Sequence, residues 1–264
     1  MSDINYRKLM RSLNEEHNKF VLDTVHHIKT VDEPIYRFLP GGAGTGKTYV
    51  LKPLRETLER YFRSHTDHDF RNRCTITVAP TGKAGFLAGG NTIHSVLHVP
   101  ANQSLTYRRL DHDTLNSVRS RLQNVKVWFI DEISMVGSKL FAFMDQRLQE
   151  VRNNAKPVGG SSMICLGDFF QLQPGYGQIY FWAKHIECSG DDYADLAPNL
   201  WQDHFKMFEL SKIIHRQDCI ASAQLINRLR EVNQTSEDLE TLNAQVMRKQ
   251  FPLWHSAAKT VHRC

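Results

Sequence analysis

Eight residues carry the clearest chemistry in this chain: GGAGTGKT, at Gly41–Thr48. They fit the phosphate-binding pattern G-x-x-x-x-G-K-[ST] at every fixed position. In such a loop the backbone N–H groups of Gly41, Gly42, Ala43, Gly44, Thr45 and Gly46 turn inward around a phosphate. Lys47 reaches the β- and γ-phosphates, and the Thr48 hydroxyl is placed to ligate Mg²⁺. The implied ligand is a nucleoside triphosphate. A glycine-rich turn matching by chance is the alternative, and the flanking elements argue against it. An apolar strand, Tyr36–Leu39, precedes the loop, and a helical run (Val50, Leu51, Leu54, Leu58) follows it.

Two acidic stretches extend the constellation. FIDEISM at Phe129–Met135 puts Asp131 and Glu132 at the carboxyl end of an apolar strand. There Asp131 can hold Mg²⁺ and Glu132 can polarise an attacking water. The alternative is an acidic pair at a helix N-terminus, favoured there by the helix dipole alone. LGDFFQLQP at Leu166–Pro174 sets Asp168 and Gln171 after the next strand. That crevice is where open parallel sheets bind ligands, and a glutamine there can sense a γ-phosphate; an ordinary polar loop is the alternative. APTGKAG (Ala79–Gly85) and NTIHSVLHVP (Asn91–Pro100) follow the second strand. Their small residues, with Thr81 and one lysine, suit close approach to a sugar-phosphate backbone, and His94 can stack on a base or be a structural histidine.

The elements that must position these residues alternate between strand and helix, which predicts an α/β fold: a parallel sheet with helices on both faces. Helices are expected over Asn14–Lys29, after the phosphate loop, near Lys139–Arg152, and near Cys219–Glu231 and Ser236–Lys249. Strands are expected at Tyr36–Leu39, Cys74–Ala79, Val125–Ile130, Met163–Leu166 and Phe205–Leu210. The inner strands are short and unalternating, as when both faces are covered. One boundary falls near Leu210–Gln217, giving a first domain over residues 1–210 and a second segment over 211–264.

Composition narrows the class. A chain of 264 residues with 41% apolar and 23% charged residues can bury a core, and no apolar stretch is long enough to span a bilayer. The five cysteines lie far apart, so they read as reduced thiols in an intracellular protein, with no disulfide frame or zinc site. His65 and His68 read as a solvated loop, because no second ligand cluster follows at zinc spacing. A net charge of +5 is compatible with a nucleic-acid partner.

The ordered set GGAGTGKT, APTGKAG, NTIHS, FIDEISM and GDFFQLQP resembles the superfamily-1 DNA helicases of the Pif (petite integration frequency) family. The wording of LNEEHNKFVLDTVHHIKT, NLWQDHFKMFELSKIIHRQ and LINRLREVN is similar to the Pif-like helicases of Helitron-type mobile elements, and the resemblance runs over roughly residues 13 to 262. It implies a RecA-like motor domain over 1–210, then linker helices and the start of a second RecA-like domain over 211–264. The implied activity is 5′-to-3′ DNA unwinding driven by ATP and Mg²⁺ on single-stranded and forked DNA. The implied processes are repair, recombination, telomere maintenance or transposition, with a nuclear address.

Family roles fall on Lys47 and Thr48 for phosphates and Mg²⁺, Asp131 for Mg²⁺, and Glu132 for the catalytic water. Gln171 matches the γ-phosphate sensor and Arg216 an arginine finger. Thr81, Lys83, Thr92 and His94 match segments lining the single-strand channel. His17 stands where the family carries an adenine-reading glutamine, which implies relaxed base selectivity. FPLWHSAAKTVHRC resembles the first strand of a second motor domain, so the chain is expected to be partial. Two other readings compete: a fragment that binds nucleotide and single-stranded DNA without turnover, and a phosphate-loop kinase, which the motif set disfavours.

Overall fold

The computed structural model describes residues 1–42, 44–65, 73–100, 105–171, 174, 200–212, and 225, 227–229, 233, 235–240 and 242. The chain divides into two compact units, Met1–Ile214 and His215–Cys264.

The first unit is built on six parallel strands: β1 (Tyr36–Pro40), β2 (Thr75–Ala79), β3 (Asn91–Thr92), β4 (Val127–Ile130), β5 (Ser162–Gly167) and β6 (Lys206–Met207). Their order across the sheet is β3-β2-β4-β5-β1-β6. Helices α1 (Asp3–Arg11), α2 (Glu15–Thr30) and α3 (Lys47–His65) precede β2. Then come α4 (Gly82–Leu87), α5 (Ile93–Leu97), α6 (His112–Leu122), α7 (Ser138–Arg152) and α8 (Leu200–His204).

The unalternating apolar strands have a simple cause: successive side chains feed two separate cores. Val127 and Phe129 of β4, with Ile164 and Leu166 of β5, pack with Phe20 and Val21 of α2 and Leu51 and Leu54 of α3. Trp128, Ile130, Met163 and Cys165 point the other way, to Ile93, Leu97, Met144 and Leu148. Because the strand period is two, both faces must be apolar when both are covered. Truncating a fully buried side chain such as Phe129 to alanine costs about 3–5 kcal/mol.

In the first unit the expected helices and inner strands are present, with ends shifted by one or two residues. Asn14 caps α2 by accepting from the His17 N–H. The expected strand Phe205–Leu210 is shorter: it pairs with β1 only at Lys206–Met207, and Leu210 returns to make a single bridge with Gly41. Elements that go beyond the sequence expectation include helices α1, α5, α6 and α8 and the two-residue edge strand β3. On the far side of the sheet, Arg147 of α7 organises the backbone around it. Its guanidinium is buried, donates to the Leu97 and Arg108 carbonyls at 3.1 and 3.0 Å, and pairs with Glu150. Glu150 in turn accepts from the Tyr107 hydroxyl and the Leu110 N–H.

In the second unit, residues 227–229 and 236–240 are helical. Arg228 forks onto Asp238 at 2.7 and 2.6 Å, and Thr235 and Asp238 exchange capping hydrogen bonds. The remainder of the two expected helices, and the FPLWHSAAKTVHRC strand, lie outside the described residues.

Candidate functional site

The carboxyl ends of β1, β4 and β5 lie side by side, because Leu39 is level with Leu166 and Ile130 with Cys165. The loops leaving these three strands carry the phosphate motif, Asp131-Glu132 and Asp168-Gln171. Residues far apart in the sequence thus meet at one edge of the sheet.

The phosphate loop turns on Gly44 and Gly46, whose φ angles of 79° and 81° are open to glycine at little cost. The Thr45 hydroxyl donates to the Gly42 carbonyl at 3.0 Å and tightens the loop from within. Lys47 Nζ donates to the Gly41 and Gly42 carbonyls at 2.6 and 3.2 Å, folding its ammonium over the loop that would receive a phosphate. Helix α3 starts at Lys47, so its positive end faces the same place. Ala43 lies outside the described residues.

The Thr48 hydroxyl donates to Asp131 Oδ2 at 3.2 Å. Asp131 is buried, and burial pushes its carboxyl upward; the Glu132 N–H, the Thr48 hydroxyl and the Lys47 charge pull it back. An exposed hydroxyl and a buried carboxylate that meet here form an oxygen donor pair suited to Mg²⁺. Glu132 sits in the left-handed region, with φ 55° and ψ 45°, and its N–H donates to Asp131 Oδ1 at 3.0 Å. A non-glycine residue held there marks a constrained position. Burial raises the Glu132 carboxyl, the Asp131 charge adds to this, and Lys47 opposes it. A carboxylate made more basic is better matched to taking a proton from water.

Asp168, buried at the end of β5, aims Gln171. Its Oδ2 accepts from Gln171 Nε2 at 2.9 Å, and its backbone carbonyl accepts from the Gln171 N–H at 3.0 Å. His17 is fully buried and its Nε2 meets the Thr45 carbonyl at 2.9 Å. The carbonyl only accepts, so Nε2 carries the proton. Nδ1 is then an acceptor without a hydrogen-bond partner among the described residues. Burial lowers the affinity of this imidazole for a second proton.

The second motif group lies one strand further along the same edge. Ala79 pairs with Thr92, which brings the starts of α4 and α5 together. Thr81 and Thr92 are both helix caps: Thr81 Oγ1 accepts from the Ala84 N–H and Thr92 Oγ1 from the Ser95 N–H. Lys83 is exposed on α4, and His94 is partly buried, with burial lowering its pKa. These four therefore neighbour one another rather than the phosphate loop. Arg216 lies outside the described residues.

One contact escapes the sequence. The Glu16 carboxylate accepts from the Ser211 N–H at 3.0 Å, the Ser211 hydroxyl at 2.6 Å and the Lys212 N–H at 3.1 Å. It ties the first turn of α2 to the stretch after β6. No local pattern signals a contact across 195 positions.

Comparison with known proteins agrees with this geometry. Residues 12–240 match the PIF1-like helicase family. The ATP-dependent DNA helicase Pif1 of Psychrobacter sp. (strain PRwf-1) is 34% identical over 207 residues, which cover 75% of this chain and 29% of that protein. Human ATP-dependent DNA helicase PIF1 is 34% identical over 137 residues, covering 52% and 20%. Among solved structures, a Bacteroides Pif1 helicase in complex with ADP-AlF3 and single-stranded DNA aligns with a TM-score of 0.60 at 26% identity, over 86% of this chain and 48% of that one. A structure of two coordinating Pif1 helicases unwinding forked duplex DNA aligns at 0.63 and 28% identity, over 88% and 51%. The chain spans about half the length of these solved relatives and less than a third of the two curated ones. With a family match over most of its length and the phosphate loop, acidic pair and glutamine at one sheet edge, this chain belongs to the PIF1-like helicases.

Proposed function

We propose that the first unit is the nucleotide-hydrolysing lobe of an ATP-dependent DNA helicase that moves 5′-to-3′ along single strands and opens forked duplexes. The observation that carries this reading is the hydrogen bond from Thr48 to Asp131. It joins the phosphate loop to the acidic strand end and leaves Glu132 beside them. The ADP-AlF3 and single-stranded DNA bound to the Bacteroides relative support the same ligands here.

In this reading the loop N–H groups and Lys47 bind and orient the phosphates of ATP. Thr48 and Asp131 would hold Mg²⁺, which would supply positive charge to the phosphates. Glu132 orients a water and accepts its proton. Gln171, steadied by Asp168, senses the γ-phosphate, and Arg216 offsets charge on the transferring group. Thr81, Lys83, Thr92 and His94 belong to the single-strand track. Motion along DNA rests on the second motor domain that the family resemblance implies.

The test is ATP hydrolysis with Mg²⁺, with and without single-stranded DNA, alongside Lys47→Ala and Arg216→Ala. DNA-stimulated turnover lost in both variants supports a working motor site and leads to strand separation on a forked duplex with each polarity of tail. Nucleotide binding without turnover, indifferent to DNA, refutes the enzyme reading for this chain.

A further inference from the structure

Helix α1 buries no residue, yet a row of polar contacts fixes its place. Three of them run antiparallel along α3. Asp3 pairs with Arg60 at 2.6 Å, the Tyr6 and Thr57 hydroxyls meet at 2.9 Å, and Ser12, the C-cap of α1, meets Tyr49. The Arg60 guanidinium also lies 4.5 Å from the centre of the Tyr6 ring. A nine-residue helix is marginal alone, so these contacts hold it against α3. The last of them falls beside the phosphate loop, because Tyr49 directly follows Thr48.

The Ser12 hydroxyl donates to the Leu9 carbonyl at 2.7 Å, so its oxygen accepts from the Tyr49 hydroxyl. Tyr49 is thereby held by its tip, and it stays 40% exposed in the first turn of α3. His17 offers a base nothing comparable. Its ring lies 6.3 Å from that of Tyr49, wholly buried, with Nε2 committed to the Thr45 carbonyl. A side chain closed off from solvent cannot read the edge of a base, whereas an open aromatic can meet its face. Stacking tolerates any base, since each has a π-face. We propose that Tyr49, braced by Ser12, is the surface on which the base of a bound nucleoside triphosphate stacks, so that the site takes adenine and guanine alike. This rests on the nucleotide site proposed above and assigns the base contact within it.

The test is calorimetric titration, in Mg²⁺, with ATP, GTP and ribose 5-triphosphate, which keeps the sugar and phosphates and lacks the base. The unmodified chain should bind ATP and GTP alike, and ribose triphosphate about fivefold or more weakly. Tyr49→Ala should bring both nucleotides down to the ribose triphosphate level. It should leave ribose triphosphate itself unchanged, which also shows that the variant folds and keeps its phosphate loop. Tyr49→Trp should restore the gap, and Ser12→Ala, which frees the ring, should narrow it for both nucleotides. Tyr49→Ala weakening all three ligands equally, or none, overturns the assignment, because the ring would then only brace α3. An unmodified chain that binds ATP about tenfold more tightly than GTP reads the base edge and overturns it too. A chain that binds none of the three refutes the nucleotide site as a whole, and is told apart by that.

Discussion

Thr48 and Asp131, 83 residues apart, are joined by a 3.2 Å hydrogen bond from the threonine hydroxyl to the carboxylate. The bond exists because β5 lies between β1 and β4 with their carboxyl ends level, so the first turn of α3 and the end of β4 open into one corner. Either residue alone is ordinary in a sequence; together they set two oxygen donors in one corner.

Asp131→Asn keeps an acceptor for Thr48 and removes the charge. Nucleotide binding measured by calorimetry should then lose its Mg²⁺ dependence, with affinity in Mg²⁺ falling about tenfold or more, as for loss of a charge-assisted contact. An Asp131→Asn chain that responds to Mg²⁺ like the parent would remove Asp131 from the metal site.

Lys47→Met retains the length of the stem and discards the ammonium. Affinity for ATP should drop about 10- to 100-fold, corresponding to a hydrogen bond from a charged group. The Gly41 and Gly42 carbonyls lose their donor in the same variant, and Asp131 and Glu132 lose a nearby positive charge. Equal ATP titrations of variant and parent would contradict the phosphate role.

His17 gives a pH signature. Burial holds its folded-state pKa below the ordinary value of 6.5, against the opposing pull of the Thr45 carbonyl and the Glu16 carboxylate. A lowered imidazole pKa contributes stability that is fully present above the unfolded value and is lost as pH falls through the folded one. Melting temperature should therefore decline below about pH 6.5 in the parent, and His17→Gln should flatten that decline. Parallel curves for the two proteins would show that His17 is not the titrating group.

Arg147→Met leaves the partly buried Glu150 without its guanidinium and uncaps the Leu97 and Arg108 carbonyls. A loss of about 3 kcal/mol is expected in denaturant unfolding, because breaking a buried pair from one side strands the other charge. An Arg147→Met chain within about 1 kcal/mol of the parent, nearer the ordinary scale of surface changes, would mean the network is neutral.

The sequence is most legible where chemistry is local. Gly41–Thr48 announces its own loop, and strand-then-helix flanks supply its context; Phe129–Asp131 and Leu166–Asp168 end apolar strands with a carboxylate, and the structure sets them on the same edge. Helix α1 is hard to read because most of its nine residues, DINYRKLMR, are polar or charged and none is buried. Strand β3 is hard to read because two residues cannot show a period. His17 is legible as a departure from the family's glutamine, yet its bond to Thr45 is not, since it depends on how α2 packs against the loop. The Glu16 contact is invisible for the same reason: it belongs to the tertiary fold, not to any window of sequence.

That last contact has a mechanical side. Glu16 grips Ser211 and Lys212, and the next residue, His17, touches the Thr45 carbonyl inside the phosphate loop. A pull on the chain at Lys212 is therefore delivered to one turn of α2 before it loads a core strand. The same turn leans on the loop that would hold the nucleotide. Tension and phosphate grip meet in that turn, so force arriving along the backbone has a short route to the chemistry.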